Sequence, residues 1–300
     1  MASGISFSSL PAAVKKSNRC ERCAGCSKPR LELDFPSPPL ARMELSFINT
    51  PRPKRVIQLS LWILITLGCA ALACCAAETP LLLTFGDSVT AARGSTPTYS
   101  DILKSELLFR DQPINVINAG VPGNTTEMAL KRFTTDVLQK QPDIVIVMFG
   151  INDAAVDVWK DPPAVEARVP LQTYRANLRS LVQTLKQQGK RVVLMTPNPL
   201  SWTDTTRKLY GKPPYKVEHP DGFNEVLRGY VQAVRDLASE LGVALVDLFT
   251  LFKTQEASYS LENSSLCPDG MHPSFEGQRL IADALVRELA VEGSGFSRKP

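Results

Sequence analysis

The chain has 300 residues, with 34 Lys and Arg against 30 Asp and Glu, and 44% of it is hydrophobic. The basic surplus is local: residues 1–55 hold 10 basic and 4 acidic side chains, and the other 245 hold 24 and 26. The body therefore lacks a basic footprint for nucleic acid and has the apolar content of a packed globular protein rather than a disordered one. Six of the seven cysteines fall in the first 75 residues, leaving Cys267 alone in the body, which excludes a disulfide framework there.

Residues 51–55, Pro-Arg-Pro-Lys-Arg, precede 22 uncharged residues, 56–77, which are apolar at the centre and shade into small side chains. A basic start, an apolar core and a small-residue exit describe a secretory signal peptide. Ala71 and Ala73, or Cys75 and Ala77, supply the small residues of a cleavage site, and the second pair releases a chain beginning at Glu78. An uncleaved anchor, which 18 or more apolar residues permit, and a lipoprotein with an irregular lipobox at Leu72 to Cys75 are the alternatives. Each exports the body, to the periplasm or the extracellular space, with the basic cluster left inside. Residues 56–77 are then the only route to membrane association.

Residues 1–55 are expected to be a disordered or mis-annotated extension carrying the basic start; on the second reading translation begins at Met43 and residues 1–42 are an artefact. Cys20, Cys23 and Cys26 have the spacing of half a metal site, but no fourth ligand is near, and tetrahedral zinc needs four. No metal and no other cofactor is expected. Residues 78–292 form the expected catalytic domain, and 293–300 a C-terminal tail.

From Leu81 onward short apolar runs alternate with amphipathic stretches. Strands are expected at 81–85, 115–118, 144–148, 191–195 and 243–247. The intervening helices fall at 99–109, 126–139, 171–188 and 223–241, and a last one at 275–290. Five such units imply an α/β fold with a parallel sheet covered on both faces and right-handed crossovers. Two connections, 151–170 and 197–222, exceed the usual loop length and should lie at the carboxyl edge of the sheet, where ligands bind.

The chemistry gathers at that edge. Ser88 follows the first strand in Gly86-Asp87-Ser88, where the glycine permits a tight turn. By itself this is weak evidence for a nucleophile, because Gly-Asp-Ser also makes an ordinary turn or helix N-cap. A serine nucleophile needs a base oriented by a carboxylate, and the chain has only His219 and His272. Asp269 precedes His272 by three residues across Gly270, so it can fold back onto the imidazole and leave the other ring nitrogen for Ser88. His219 sits in a polar loop and reads as surface or rim. Acyl transfer also needs donors for an oxyanion. Asn152, in Gly150-Ile151-Asn152-Asp153 after the strongest strand, offers a side-chain amide, and Gly123, after the second strand, offers a backbone N–H. Cys267 reads as a small buried thiol shaping its loop.

Gly86-Asp87-Ser88, Gly123, Gly150-x-Asn152-Asp153 and Asp269-x-x-His272 resemble, in order, the four sequence blocks of the SGNH (GDSL-type) hydrolases. The resemblance spans about residues 81–290. It implies a flavodoxin-like three-layer α/β/α sandwich with a five-stranded parallel sheet and a metal-free serine esterase. Ser88 would be nucleophile, His272 base and Asp269 its orienter, with the Ser88 N–H, the Gly123 N–H and the Asn152 amide forming the oxyanion hole. Val89 stands where the family commonly has Leu, and Ala92 where it often has Gly; both bear on packing and substrate shape. No Gly-x-Ser-x-Gly elbow is present, which argues against the α/β-hydrolase fold. Segments 169–178, 196–200 and 246–252 are similar to the isoamyl-acetate-hydrolysing esterase branch.

These readings point to a secreted serine esterase acting on short-chain or acetyl esters, small-molecule or carbohydrate-linked. Trp159, Trp202, Tyr210 and Tyr215, in the two long loops, are the candidate substrate rim, set against simple loop packing. A lysophospholipase or thioesterase would need a long apolar groove, which neither loop's sequence shows. A non-catalytic ester- or glycan-binding protein would have no need of Ser88, Asp269 and His272 together.

Overall fold

In the first strand, β1 (Leu81–Gly86), side chains alternate between two cores, as the two-residue period of a strand requires. Leu83 and Phe85 enter one apolar cluster and Leu82 the other. The computed structural model describes residues 79–255, 264–291 and 293–300. The apolar segment 56–77, the three upstream cysteines and Met43 lie outside the described residues.

Helix α1 (Tyr99–Glu106) starts at a capping box between Thr98 and Asp101. It is followed by β2 (Leu107–Phe109) and β3 (Gln112–Pro113), then β4 (Asn115–Gly120) and α2 (Thr126–Asp136). Next come β5 (Ile144–Met148), the single turn α3 (Ile151–Ala154), α4 (Leu171–Gln187) and β6 (Arg191–Met195). The chain continues through α5 (Asp204–Tyr210), α6 (Leu227–Leu241), β7 (Ala244–Val246), α7 (Leu248–Gln255), α8 (Phe275–Leu289) and β8 (Phe296–Arg298).

Five strands make one parallel sheet in the order β4-β1-β5-β6-β7. Counting only these five, the order is 2-1-3-4-5, that of a flavodoxin-like doubly wound sheet, whose ligand crevice lies where the order reverses, between its first and third strands. On one face α2, α4 and α6 cover Phe85, Val147 and Leu194. On the other α1 and α8 cover Leu82, Ile146 and Val193. Helix α4 buries Tyr174, Leu178, Leu181, Val182 and Leu185, the stripe expected of a helix with one face on a core. Among the described residues no helix is long and apolar enough to cross a membrane.

Several features depart from the sequence reading, among them the unexpected helices α3 and α7. The helix expected to reach residue 109 stops at Glu106, because Leu107–Phe109 turns through Arg110 and Asp111, both at positive φ, into β3. The expected tail at 293–300 carries β8, which pairs antiparallel with β2, packs the Phe296 ring at a tilt against Phe109 and sets Arg298 on Glu106. The loop expected at 197–222 contains α5, capped by Thr203.

Candidate active site

Register places the candidate residues side by side before any side chain is considered. Gly86, the last residue of β1, pairs with Gly120 of β4 and Met148 of β5. Ser88, Gly123 and Asn152 follow these three by two, three and four residues. They stand at the carboxyl edge where the strand order reverses. Gly86 has no left-handed backbone. Its need is lateral space, since a Cβ there would lie 2.8 Å from the Met148 carbonyl oxygen and closer still to Thr90. That is the physical reason for glycine here, rather than the tight turn the sequence implies. Gly123 is the opposite case: its surroundings are open, but its φ of +75° strains any other residue.

Ser88, half-buried, stands in a hydrogen-bonded chain with His272 and Asp269. Ser88 Oγ lies 2.9 Å from His272 Nε2, and His272 Nδ1 lies 2.7 Å from Asp269 Oδ2. Asp269 Oδ1 accepts the backbone N–H groups of Met271 (3.0 Å) and His272 (2.7 Å), and Arg93 reaches Oδ2 at 3.4 Å. Burial pushes the Asp269 pKa up, but the hydrogen bonds from the His272 ring and the two backbone N–H groups outweigh it and hold the carboxyl well below the usual range. With the Nδ1 proton given to Asp269, Nε2 is free to accept from the Ser88 hydroxyl.

The oxyanion candidates share this edge. Among the described residues no group accepts the backbone N–H of Ser88 or of Gly123. Asn152 Nδ2 donates to Asp87 Oδ2 at 3.3 Å, and its Oδ1 accepts from Arg168 Nη1 at 3.3 Å. Asp87 is fully buried and also accepts the Val89 N–H. Burial, aided by repulsion from Asp153, raises its pKa to about 7 against the hydrogen bonds it accepts and the attraction of His272. Asp153 Oδ1 accepts the backbone N–H and the hydroxyl of Thr126, tying the Asn152 turn to the start of α2; burial pushes its pKa up to about 6.

Sequence reasoning missed two arginines. Arg132 of α2 donates to the Gly86 and Ala119 carbonyls and to Asn124, lacing the ends of β1 and β4 together. Arg168 sits on Asp157. A lone arginine on an amphipathic helix or in a loop reads as a solvated charge, so no signal set either apart.

The four expected rim aromatics divide. Trp159 is 48% exposed and lines a groove of about 550 Å³ with Gly123, Met128 and Arg168. Trp202 is 1% exposed, stacked on Phe223 at 4.5 Å, with Arg207 over its ring and its N–H given to the His219 carbonyl. It is a core residue and no part of the rim, because α5 folds the long loop inward over it. Tyr210 and Tyr215 are buried as well, but they wall an apolar cavity of about 100 Å³ that Asn152, Ile151, Leu227 and Met271 also line. A polar cleft of about 550 Å³ opens on the His272 side, bounded by Arg93, Thr96, Thr98 and Ser274. His219 is exposed and lines a surface depression with Asp221 and Arg228. Cys267 is buried, with Asn198 Nδ2 3.5 Å from its sulfur. Among the described residues no group of three or more His, Cys, Asp or Glu is placed to hold a metal ion.

Residues 84–280 match the GDSL-like lipase/acylhydrolase family. The chain belongs to this family. This GDSL-like hydrolase is 30% identical over 220 residues to the uncharacterized lipoprotein YqeF of Bacillus subtilis, covering 68% of this chain and 87% of that one. Against the human isoamyl acetate-hydrolyzing esterase 1 homolog the identity is 30% over 210 residues, covering 67% and 78%. Among solved structures, an acetylxylan esterase from Geobacillus stearothermophilus matches with a TM-score of 0.55 at 28% identity, over 71% of this chain and 95% of that one. Catalytic mutants of that esterase replace a serine, an aspartate, or a histidine three positions after the aspartate. A lipase/acylhydrolase from Enterococcus faecalis matches with a TM-score of 0.54 at 26% identity, over 74% and 100%. The chain is an SGNH-type ester hydrolase on an α/β fold.

Proposed function

We propose that the protein is an exported serine esterase that removes short acyl groups, acetyl foremost, from alcohols borne on small molecules or carbohydrates. The observation that carries the reading is the Ser88, His272 and Asp269 chain, with contacts of 2.9 and 2.7 Å. His272 Nε2 takes the Ser88 proton as Oγ attacks the ester carbonyl. Asp269 keeps the ring in the tautomer this needs and stabilises the imidazolium that forms. The oxyanion is received by the free N–H groups of Ser88 and Gly123 and by the Asn152 amide. His272 then returns the proton to the leaving alcohol, and water, activated by the same nitrogen, releases the acid.

The cavity beside Asn152 supports a short acyl group: about 100 Å³ is well below the roughly 300–1,000 Å³ of sites that enclose larger ligands. The leaving alcohol must lie near His272, and the cleft there is wide and polar, which suits a hydroxylated partner. Trp159, exposed beside Gly123, offers a ring face to a sugar. Export rests on the basic and apolar pattern of residues 51–77; mass spectrometry of protein recovered outside the cytoplasm should find a chain beginning at Glu78.

The test is hydrolysis of p-nitrophenyl esters from acetate to palmitate, with Ser88→Ala as control, followed by acetate release from acetylated xylo-oligosaccharides. The reading requires Ser88-dependent turnover that falls steeply beyond butyrate. Preference for long chains would transfer the assignment to a lysophospholipase. A folded protein inert to every ester and to a fluorophosphonate probe would make it a binding protein.

A further inference from the structure

An asparagine side chain can turn its amide by 180° with almost no change of shape, exchanging a donor for an acceptor. A residue that must present N–H to an oxyanion therefore needs something to choose between the two orientations. Above about pH 7, where Asp87 is ionised, two charged groups of opposite sign around Asn152 do so. The Asp87 carboxylate faces Nδ2 and the Arg168 guanidinium faces Oδ1, each at 3.3 Å. A turned amide would set oxygen against carboxylate and N–H against guanidinium, so both contacts oppose it.

Arg168 is itself fixed. Its Nε and Nη2 both bond Asp157 Oδ1, at 3.0 and 2.6 Å, while Lys160 takes Oδ2 at 2.7 Å. Asp157 is buried. Burial pushes its pKa up, but the hydrogen bonds from Arg168 and Lys160 outweigh it and keep the carboxyl below its ordinary range. The backbone closes the loop: Arg168 N–H donates to the Ala155 carbonyl at 2.9 Å and Val169 N–H to that of Asp153 at 3.1 Å, both at the C-terminal end of α3. This arrangement leaves Nη1 pointing to Asn152. Arg168 also walls both the acyl-sized cavity and the Trp159 groove.

We infer that Arg168 is a positioning residue for the hydrolysis: seated on Asp157, it fixes the amide of Asn152 so that Nδ2 presents a hydrogen to the oxyanion. The long connection between β5 and α4 is thereby a brace for the oxyanion hole as well as part of the rim. The inference rests on the reading of Asn152 as an oxyanion donor, and the test separates the two.

The experiment measures kcat and KM for p-nitrophenyl acetate in full-length Arg168→Met, Arg168→Lys, Asn152→Ala and the Asn152→Ala/Arg168→Met double variant, with circular dichroism to establish folding. Asn152→Ala should lower kcat on the order of 10²–10³-fold. Arg168→Met should lower it about tenfold at little changed KM, as the amide, no longer held at Oδ1, lies out of line with the oxyanion in roughly nine molecules in ten. Lysine can sit on Asp157 but cannot fork to Asn152 at the same time, so Arg168→Lys should stay folded and lose kcat to a similar extent. On the Asn152→Ala background Arg168→Met should change kcat less than twofold. Independent, multiplying losses would overturn the inference while leaving Asn152 its role, as would a raised KM at unchanged kcat. An Asn152→Ala variant of nearly full activity would remove the oxyanion reading and the inference with it.

Discussion

Asp269 grips His272 twice: Oδ1 accepts the backbone N–H at 2.7 Å and Oδ2 meets Nδ1 at 2.7 Å. Ring and backbone are thus fixed by one carboxylate three residues away, across a turn that requires glycine at 270, where φ is +84° and a Cβ would lie 2.5 Å from the Ser201 carbonyl oxygen. In Asp269→Asn, Oδ1 can still accept both backbone N–H groups, so the turn should survive. The amide nitrogen, however, can only donate to Nδ1. The ring proton is forced to Nε2, which then faces Ser88 as a donor and cannot serve as base. Turnover of p-nitrophenyl acetate should fall on the order of 10⁴-fold, with the thermal unfolding midpoint within a few degrees of the parent. Activity within tenfold of the parent would mean that Asp269 is dispensable as orienter.

Most of this site was legible because its parts belong to strand ends. Ile144–Met148 is an unbroken apolar run and Arg191–Met195 is one from Val192 on, and the structure keeps both bounds. Once five parallel strands are accepted, Ser88, Gly123 and Asn152 must share an edge. What the sequence hid depends on how loops fold back. The helix at Leu248–Gln255 follows β7 almost at once, too close to separate from the apolar strand before it. Trp202 and Trp159 occupy similar polar loops, and nothing local distinguishes the one that α5 buries. Asp87, Asp157 and Arg168 act through one another across 81 residues, and no periodicity records such a network.

The two tryptophans should separate in experiment. Trp202 is stacked and enclosed, so Trp202→Ala removes a large core side chain and should cost about 3–5 kcal/mol of stability. Trp159, almost half exposed, should leave stability within about 0.5 kcal/mol when changed to Ala. On acetylated oligosaccharides Trp159→Ala should raise KM several-fold, with KM for p-nitrophenyl acetate unchanged. Chemical denaturation and initial-rate kinetics on both substrates check this pair. Equal KM on the oligosaccharide with and without Trp159 would leave the ring without a role in sugar binding.

Acyl length offers a second handle. Leu227, at the start of α6, closes the small cavity that Asn152 and Met271 share with Tyr210 and Tyr215. Truncation to Ala should lengthen the cavity at a cost of about 2–5 kcal/mol in stability. The ratio of hexanoate to acetate hydrolysis should rise several-fold, chiefly through the longer ester. A ratio unchanged in a folded Leu227→Ala protein would place the acyl chain elsewhere.

Asp87 should betray itself in the pH dependence of stability. Burial raises its pKa in the fold to about 7, against an unfolded value near 3.9. Between those values the unfolded chain has released a proton that the native protein still holds. Native protein therefore binds more protons, and stability falls as pH rises through this window, levelling off above about 7. From pH 5 to 8 the loss should be roughly 2–3 kcal/mol, or several degrees in unfolding midpoint for a domain of this size. Asp153, raised to about 6, adds in the same direction and remains in both proteins. Asp87→Asn removes its own share together with its repulsion of Asp153, which acts in the same direction. How Asn152 re-pairs sets a constant offset between variant and parent, but cannot restore the slope. Thermal melts of the two proteins at several pH values should diverge as pH rises from 5 to 8, with the variant gaining on the parent. Parallel curves over that range would mean that Asp87 is already ionised in the fold at pH 5.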